Sequence, residues 1–229
     1  MARKIWEHIK RIDFFLDSHT GLLILLVLVV LLRIPNFSDP YWYGDEAIYL
    51  TIGQALNRGV ELYSEIIDHK TPLIYVFARV GTQLNFRLLM LGWMLVSTVG
   101  FYILNFKLLK SKMPSVLATL AFVLFTTLPT FEGHIPNGEL FVMGFMIWGG
   151  VILTNTHFFK SFMDKDYASS ANSREMLGYI LAGTLFGLGI LTKVPAVFDL
   201  AAFMAIGFFA FTNALGFASS GRLMLRCKR

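Results

Sequence analysis

Apolar residues run along this chain in long blocks separated by short polar stretches, and that pattern predicts helices that cross a membrane. The first block, 21–32, is unbroken, and extending it over 18–34 gives a helix of about 26 Å at the usual rise per residue. A basic start and so short an apolar core also fit a signal peptide, but no small-x-small cleavage site follows. Arg33, Pro35, Asn36 and Phe37 come instead, so 18–34 reads as an uncleaved signal anchor. Further spans are expected at 88–106, 114–128, 140–158, 177–191 and 195–215.

The stretch 36–86 differs in kind. It carries Asp39, Asp45, Glu46, Glu61, Glu65 and Asp68 against three basic residues, with Tyr41, Trp42 and Tyr43 at its head. Within it Ile48, Ile52, Ala55 and Leu56 recur at helical spacing and Gly59 offers a stop, predicting an amphipathic helix over 46–58 on the membrane surface. Thr71 as cap and Pro72 in the first turn predict a second short helix through Leu73, Ile74, Tyr75 and Phe77. Residues 160–175 are polar and read as a solvated linker, and Gly183 with Gly187 forms a small-xxx-small pair suited to a close helix contact. The expected fold is all-α: one polytopic membrane domain over 1–229, with a first span at 18–34, a loop at 36–86 holding short amphipathic helices, five spans within 88–215 and a basic tail at 216–229.

Composition narrows the class further. The 229 residues are 55% hydrophobic and only 15% charged, against about 25% charged in a typical soluble domain. Neither an ordinary soluble domain nor a disordered chain fits these values, and Cys227, the only cysteine, leaves no disulfide scaffold. A net charge of +5 could suggest nucleic acid, but position along the chain argues otherwise. Arg3, Lys4, Lys10, Arg11, Lys107, Lys110, Lys112, Lys160, Lys165, Arg174, Arg222, Arg226, Lys228 and Arg229, 14 of the 20 Lys and Arg residues, mark one side of the predicted spans. By the positive-inside rule that side is cytoplasmic, both termini lie there, and 36–86 is extracytoplasmic. No basic-aromatic RNA motif competes for these residues, so no nucleic-acid partner is expected.

Signatures of soluble enzymes are missing: no glycine-rich phosphate loop, no G-x-S-x-G, no H-E-x-x-H and no paired cysteines. Three polar clusters instead fall on the outer side: Gly44-Asp45-Glu46, Asp68-His69-Lys70-Thr71-Pro72, and 132–139. Adjacent carboxylates suit proton abstraction or metal binding, and a lysine beside a histidine suits an anionic phosphate. The clusters look like a site for a phosphorylated, lipid-linked substrate.

In this order, Trp42-Tyr43-Gly44-Asp45-Glu46-x-x-Tyr49, Asp68-His69-Lys70-Thr71-Pro72-Leu73-x-Tyr75, Pro136-Asn137-Gly138-Glu139-Leu140-Phe141 and Gly187-Leu188-x-x-Leu191-Thr192-Lys193-x-Pro195, the chain resembles the dolichyl-phosphate-mannose protein mannosyltransferase superfamily. It is similar to the bacterial lipid A aminoarabinose transferases, over roughly 15–215. These are C-type glycosyltransferases that pass a sugar from a polyprenyl phosphate to an extracytoplasmic acceptor. The resemblance implies Asp45 as catalytic base with Glu46 as its partner, and Lys70 as a contact to the donor phosphate. Thr71 departs from the proline usual at that place. Glu139 matches an acidic position of the second outer loop, Lys193 a lysine at the outer end of the fifth span, and Tyr49 and His69 join the substrate-binding set. The implied partners are membrane lipid, a polyprenyl-phosphate sugar and a lipid, glycan or protein acceptor, in a bacterial plasma membrane; a divalent metal is not expected. Family members carry further spans after a sixth, so a compact or N-terminal portion of such an enzyme is expected.

Structural roles are open to the same residues. Asp45 can cap the amphipathic helix, Glu46 can favour its positive end, and Glu139 can sit in the first turn after Asn137. Lys70 with His69 can be a solvated pair, Lys193 can snorkel to the interface, and Tyr41, Trp42 and Tyr43 can form an interfacial belt. Two other functional classes also remain: a non-catalytic membrane subunit, and a transporter or flippase of lipid-linked sugars, which paired interrupted helices would favour.

Overall fold

The computed structural model describes residues 18–41, 44–156, 159, 173–206 and 208. The described residues are helical, in the order α1 (Ser18–Arg33), α2 (Gly44–Asn57), α3 (Leu73–Phe77), α4 (Gln83–Leu109), α5 (Lys112–Phe125), α6 (Gly138–Leu153), α7 (Ser173–Thr192) and α8 (Ala196–Ile206). Short 3-10 turns follow α1, α3 and α5 at Pro35–Phe37, Ala78–Val80 and Pro129–Phe131. Among the described residues there is no strand, only an isolated bridge between Leu62 and Ile66.

Three segments, Thr20–Phe37, Gln83–Leu109 and Glu175–Thr192, are long and apolar enough to cross a membrane. Helices α5 and α6 occupy two of the other expected places but are shorter, and α8 lies in the third. Polar side chains bond back onto the helix at the ends of both α5 and α6. After α5, the hydroxyls of Thr126 and Thr127 donate back to the carbonyls of Phe122 and Val123 at 2.7 Å. After α6, Thr154, Asn155 and Thr156 bond the carbonyls of Val151 and Leu153, and the helix ends at Leu153, short of 158. The basic start at 3–11, Trp42 and Tyr43, most of the 160–175 linker, the end of the last expected span and the 216–229 tail lie outside the described residues.

Helix α4 is the axis of the packing, touching α1, α5 and α6, while α6 also packs along α7. Its start is five residues earlier than expected, because Thr82 accepts a hydrogen bond from the Asn85 amide at 3.1 Å and caps it. The core is aromatic. Phe77 stacks on Phe141 with centroids 4.6 Å apart, Trp93 meets Phe145 at 4.8 Å, and Tyr49 meets Tyr75 edge-on at 6.1 Å. An apolar crevice of about 380 Å³ between α1 and α4 is lined by Leu26, Val27, Val30, Leu95, Val96 and Val99.

Three local expectations change. Helix α2 buries Tyr49, Leu50, Ile52 and Gly53 against the protein and exposes Ile48, so only part of the anticipated apolar stripe faces inward. Thr71 does not cap α3: Pro72 takes the cap position, and the buried Thr71 hydroxyl has no hydrogen-bond partner among the described residues. Among the described residues, nothing lies within 4 Å of a Cβ added at Gly183 or Gly187. The close helix approaches fall instead at Gly149, where an added Cβ would lie 2.7 Å from the Phe186 ring, and at Gly189 against Met146.

Candidate functional site

One end of the bundle gathers the last turns of α1, α5 and α7 and the first turns of α2, α4 and α6. Two buried arginines tie this end together. Arg33 donates to the carbonyls of Thr126 and Gly133 at 2.7 and 2.9 Å, placing a cation on the C-terminus of α5. Arg87 forms a bidentate pair with Glu46, both contacts 2.7 Å, and also donates to the carbonyls of Asn36 and Asp39. Asn36 in turn donates to the His134 carbonyl at 2.8 Å, and burial pushes the His134 imidazole down.

Glu46 is therefore a structural anchor in this fold. It is fully enclosed, and the structure does not bring it to Asp45. Successive residues on a helix point about 100° apart, so Asp45 and Glu46 cannot share a face, whereas Asp45 and Tyr49, four apart, do. Arg87 was not singled out from the sequence: one arginine at the head of an apolar run reads as an interfacial charge, and its only sequence signal is the unbalanced acidic loop before it.

Asp45, in the first turn of α2, accepts the Tyr49 hydroxyl at 2.9 Å and pairs with the Lys70 ammonium at 2.6 Å. The same ammonium donates to the Tyr49 oxygen at 2.8 Å and sits 4.5 Å from the ring centroid, a cation–π contact. Burial first, and then the Asp45 charge, push the Tyr49 hydroxyl far up, so it stays protonated and acts as a donor. Lys70 is positioned by its own loop. Tyr63, held at a φ of +71°, donates its hydroxyl to the Lys70 carbonyl at 2.5 Å. Next door, Asp68 accepts the Tyr75 hydroxyl at 2.6 Å and contacts the His69 ring at 2.8 Å. The His69 side chain is 85% exposed and points to Asp68 rather than to the Lys70 ammonium.

Glu139, in the first turn of α6, pairs with Lys193, which follows the last turn of α7. Each charge complements its helix end. Gly138 joins the two pairs: a Cβ there would lie 3.4 Å from the Lys193 side chain and 3.8 Å from the Tyr49 oxygen. Asp45, Tyr49, Lys70, Glu139 and Lys193 thus converge around one glycine, while Glu46 and His69 stand apart. Among the described residues, no group of three or more His, Cys, Asp or Glu side chains is placed to hold a metal ion.

Two carboxylates, two ammonium groups and a phenol at the rim of an apolar bundle can bind an anion and accept a proton. Protein-family models, curated proteins and solved structures offer no match to this chain.

Proposed function

We propose that the chain is a membrane glycosyltransferase, or the N-terminal portion of one, that moves a sugar from a polyprenyl-phosphate donor to an acceptor on the extracytoplasmic face. The observation that carries this reading is the convergence of Asp45 and Lys70 with Glu139 and Lys193 around Tyr49 and Gly138. In the reaction the acceptor hydroxyl attacks the anomeric carbon while Asp45 takes its proton. The bond from that carbon to the phosphate oxygen breaks, and its electron pair leaves on polyprenyl phosphate. Charge on the phosphate grows as that bond breaks, and Lys70 and Lys193 are the cations within reach to neutralise it. Positioning supplies much of the rest, since phosphate is a competent leaving group. The all-apolar crevice between α1 and α4 has a lining that suits an isoprenoid chain.

The same reading gives six spans with both termini cytoplasmic in a bacterial plasma membrane. Lys107, Lys110 and Lys112 at the end of the bundle away from the site accord with it. The direct test is transfer from a radiolabelled polyprenyl-phosphate sugar in membranes holding the wild type, Asp45→Asn or Lys70→Ala. Loss of transfer in both supports the assignment; full transfer in both overturns it.

A further inference from the structure

The segment that carries Lys70 is held from two directions by tyrosines that do not touch the ammonium. From the chain before it, Tyr63 donates its hydroxyl to the Lys70 carbonyl at 2.5 Å. From the chain after it, Tyr75 donates to the Asp68 carboxylate at 2.6 Å, and that carboxylate also accepts the His69 amide at 2.8 Å. One anchor therefore falls on each side of His69. Both tyrosines are braced in turn. Tyr75 is fully buried, its ring meets Tyr49 edge-on at 6.1 Å, and burial pushes its hydroxyl far up, so it stays a donor. Tyr63 is half exposed, and its φ of +71° is one that a residue with a side chain keeps only where its surroundings impose it. The turn 61–66 imposes it here. The Tyr63 amide donates to the Ile66 carbonyl at 2.8 Å, the Glu65 amide to the Glu61 carbonyl at 3.0 Å, the Glu61 amide to the Glu65 carboxylate at 2.8 Å, and the Ser64 hydroxyl to the Glu61 carboxylate at 3.0 Å.

Building on the reading above, we propose that Tyr63 and Tyr75 are positioning residues, which fix the main chain on both sides of His69 and so set where the Lys70 ammonium stands against Asp45 and Tyr49. The contacts close a ring: Lys70 to the Tyr49 oxygen, the Tyr49 ring to the Tyr75 ring, the Tyr75 hydroxyl to Asp68, and two peptide bonds back to Lys70. A lysine side chain is long and flexible, so its charge is only as well placed as the backbone it leaves from. In sugar transfer that placement counts most when the bond to the phosphate oxygen breaks and charge grows there. A displaced Lys70 then lowers kcat while KM holds, because the lost interaction belongs to the transition state.

The test uses the full chain in lipid nanodiscs as wild type, Tyr63→Phe and Tyr75→Phe. Lys70 and Lys193 are labelled with an amine reagent and read by mass spectrometry, and kcat and KM are measured with the radiolabelled polyprenyl-phosphate sugar. Tyr63→Phe should raise Lys70 labelling and lower kcat, each by about fivefold, as expected for one lost neutral hydrogen bond. Lys193 labelling and KM should stay within about twofold, and the unfolding midpoint within about 2 °C, since the Tyr63 ring is half exposed and remains. Tyr75→Phe should give the same pattern at about tenfold or more, because its bond is to a carboxylate. Should Tyr75→Phe fail to fold, Tyr63→Phe decides alone. Unchanged Lys70 labelling in Tyr63→Phe, or an equal rise at Lys70 and Lys193, would overturn the proposal. A higher KM at unchanged kcat would overturn it as well, by showing a role in binding alone. If the wild type transfers no sugar, the transferase reading fails, whereas the labelling still decides whether the tyrosines hold Lys70 in place.

Discussion

Replacing Arg87 with alanine would leave the Glu46 carboxylate enclosed, with, among the described residues, only the Gln83 amide at 3.2 Å to meet it. The same change strips the donor from the carbonyls of Asn36 and Asp39. Breaking a buried pair from one side costs about 3–5 kcal/mol, because the surviving charge has lost both water and partner. In a chain of this size each kcal/mol moves the unfolding midpoint by about 2–4 °C, so Arg87→Ala should lower it by roughly 6–20 °C. Glu46→Gln should cost less, since a neutral amide tolerates enclosure better and Arg87 keeps its carbonyl partners. The double variant Arg87→Met with Glu46→Leu, which removes both charges, should recover most of the loss. Intrinsic tryptophan fluorescence of the detergent-solubilised full chain, heated at one fixed scan rate, reads all four proteins. A shift below about 2 °C for Arg87→Ala, or a double variant as unstable as the two single changes added together, would refute the anchoring role of this pair.

Tyr49→Phe keeps the ring against Tyr75 but loses a hydroxyl bonded to two charged groups; such bonds are worth about 1.5–3 kcal/mol, so sugar transfer should fall about tenfold to a hundredfold. Unchanged turnover from the labelled donor would remove Tyr49 from the site. Gly53→Ala would put a Cβ 2.5 Å from the Ala78 carbonyl carbon, backbone that cannot swing aside, and should cost about 1–3 kcal/mol in thermal unfolding. Gly183→Ala meets nothing within 4 Å among the described residues and should be neutral or gain up to about 1 kcal/mol from helix propensity, so equal losses in the two variants would contradict the packing described. Burial pushes the Asp68 carboxyl up, but the Tyr75 hydroxyl, the His69 amide and the nearby positive charges together pull it below its ordinary 3.8. Its folded value is depressed, so its contribution to stability is present above pH 3.8 and is lost as pH falls through the lower folded value; Asp68→Asn should flatten that acid limb in a titration of the unfolding midpoint.

The parts of the fold that follow from local rules were legible in the sequence. Apolar blocks placed the helices, Gly59 at a φ of +88° closes the turn after α2, and the i, i+4 spacing puts Asp45 and Tyr49 on one face. What depends on distant partners was not. Glu46 sits next to Asp45 in the chain and shares its motif, yet its direction is fixed by Arg87, 41 residues away. Glu139 and Lys193 were each visible as isolated charges, but 54 residues separate them and only the packing of α6 against α7 makes them a pair. Gly183 and Gly187 carry the right spacing for a helix contact; spacing cannot tell which face of α7 meets α6, and the neighbouring Gly189 takes that place. Thr71 is a good capping residue displaced by one position because proline after it fixes the turn.

The two arginines that brace this end of the bundle reach mostly for main-chain oxygens: those of Asn36 and Asp39 for Arg87, and of Thr126 and Gly133 for Arg33. A carbonyl is the same whatever side chain it carries. Substitution at Asp39, Thr126 or Gly133 therefore leaves the acceptor in place as long as the backbone path holds, and the added Cβ at Gly133, 2.5 Å from the Thr126 carbonyl carbon, marks where it would not. Loops fastened in this way can drift in sequence while their attachment endures. The rim of the site is free to change its side chains without dismantling the frame that holds Asp45 and Lys70.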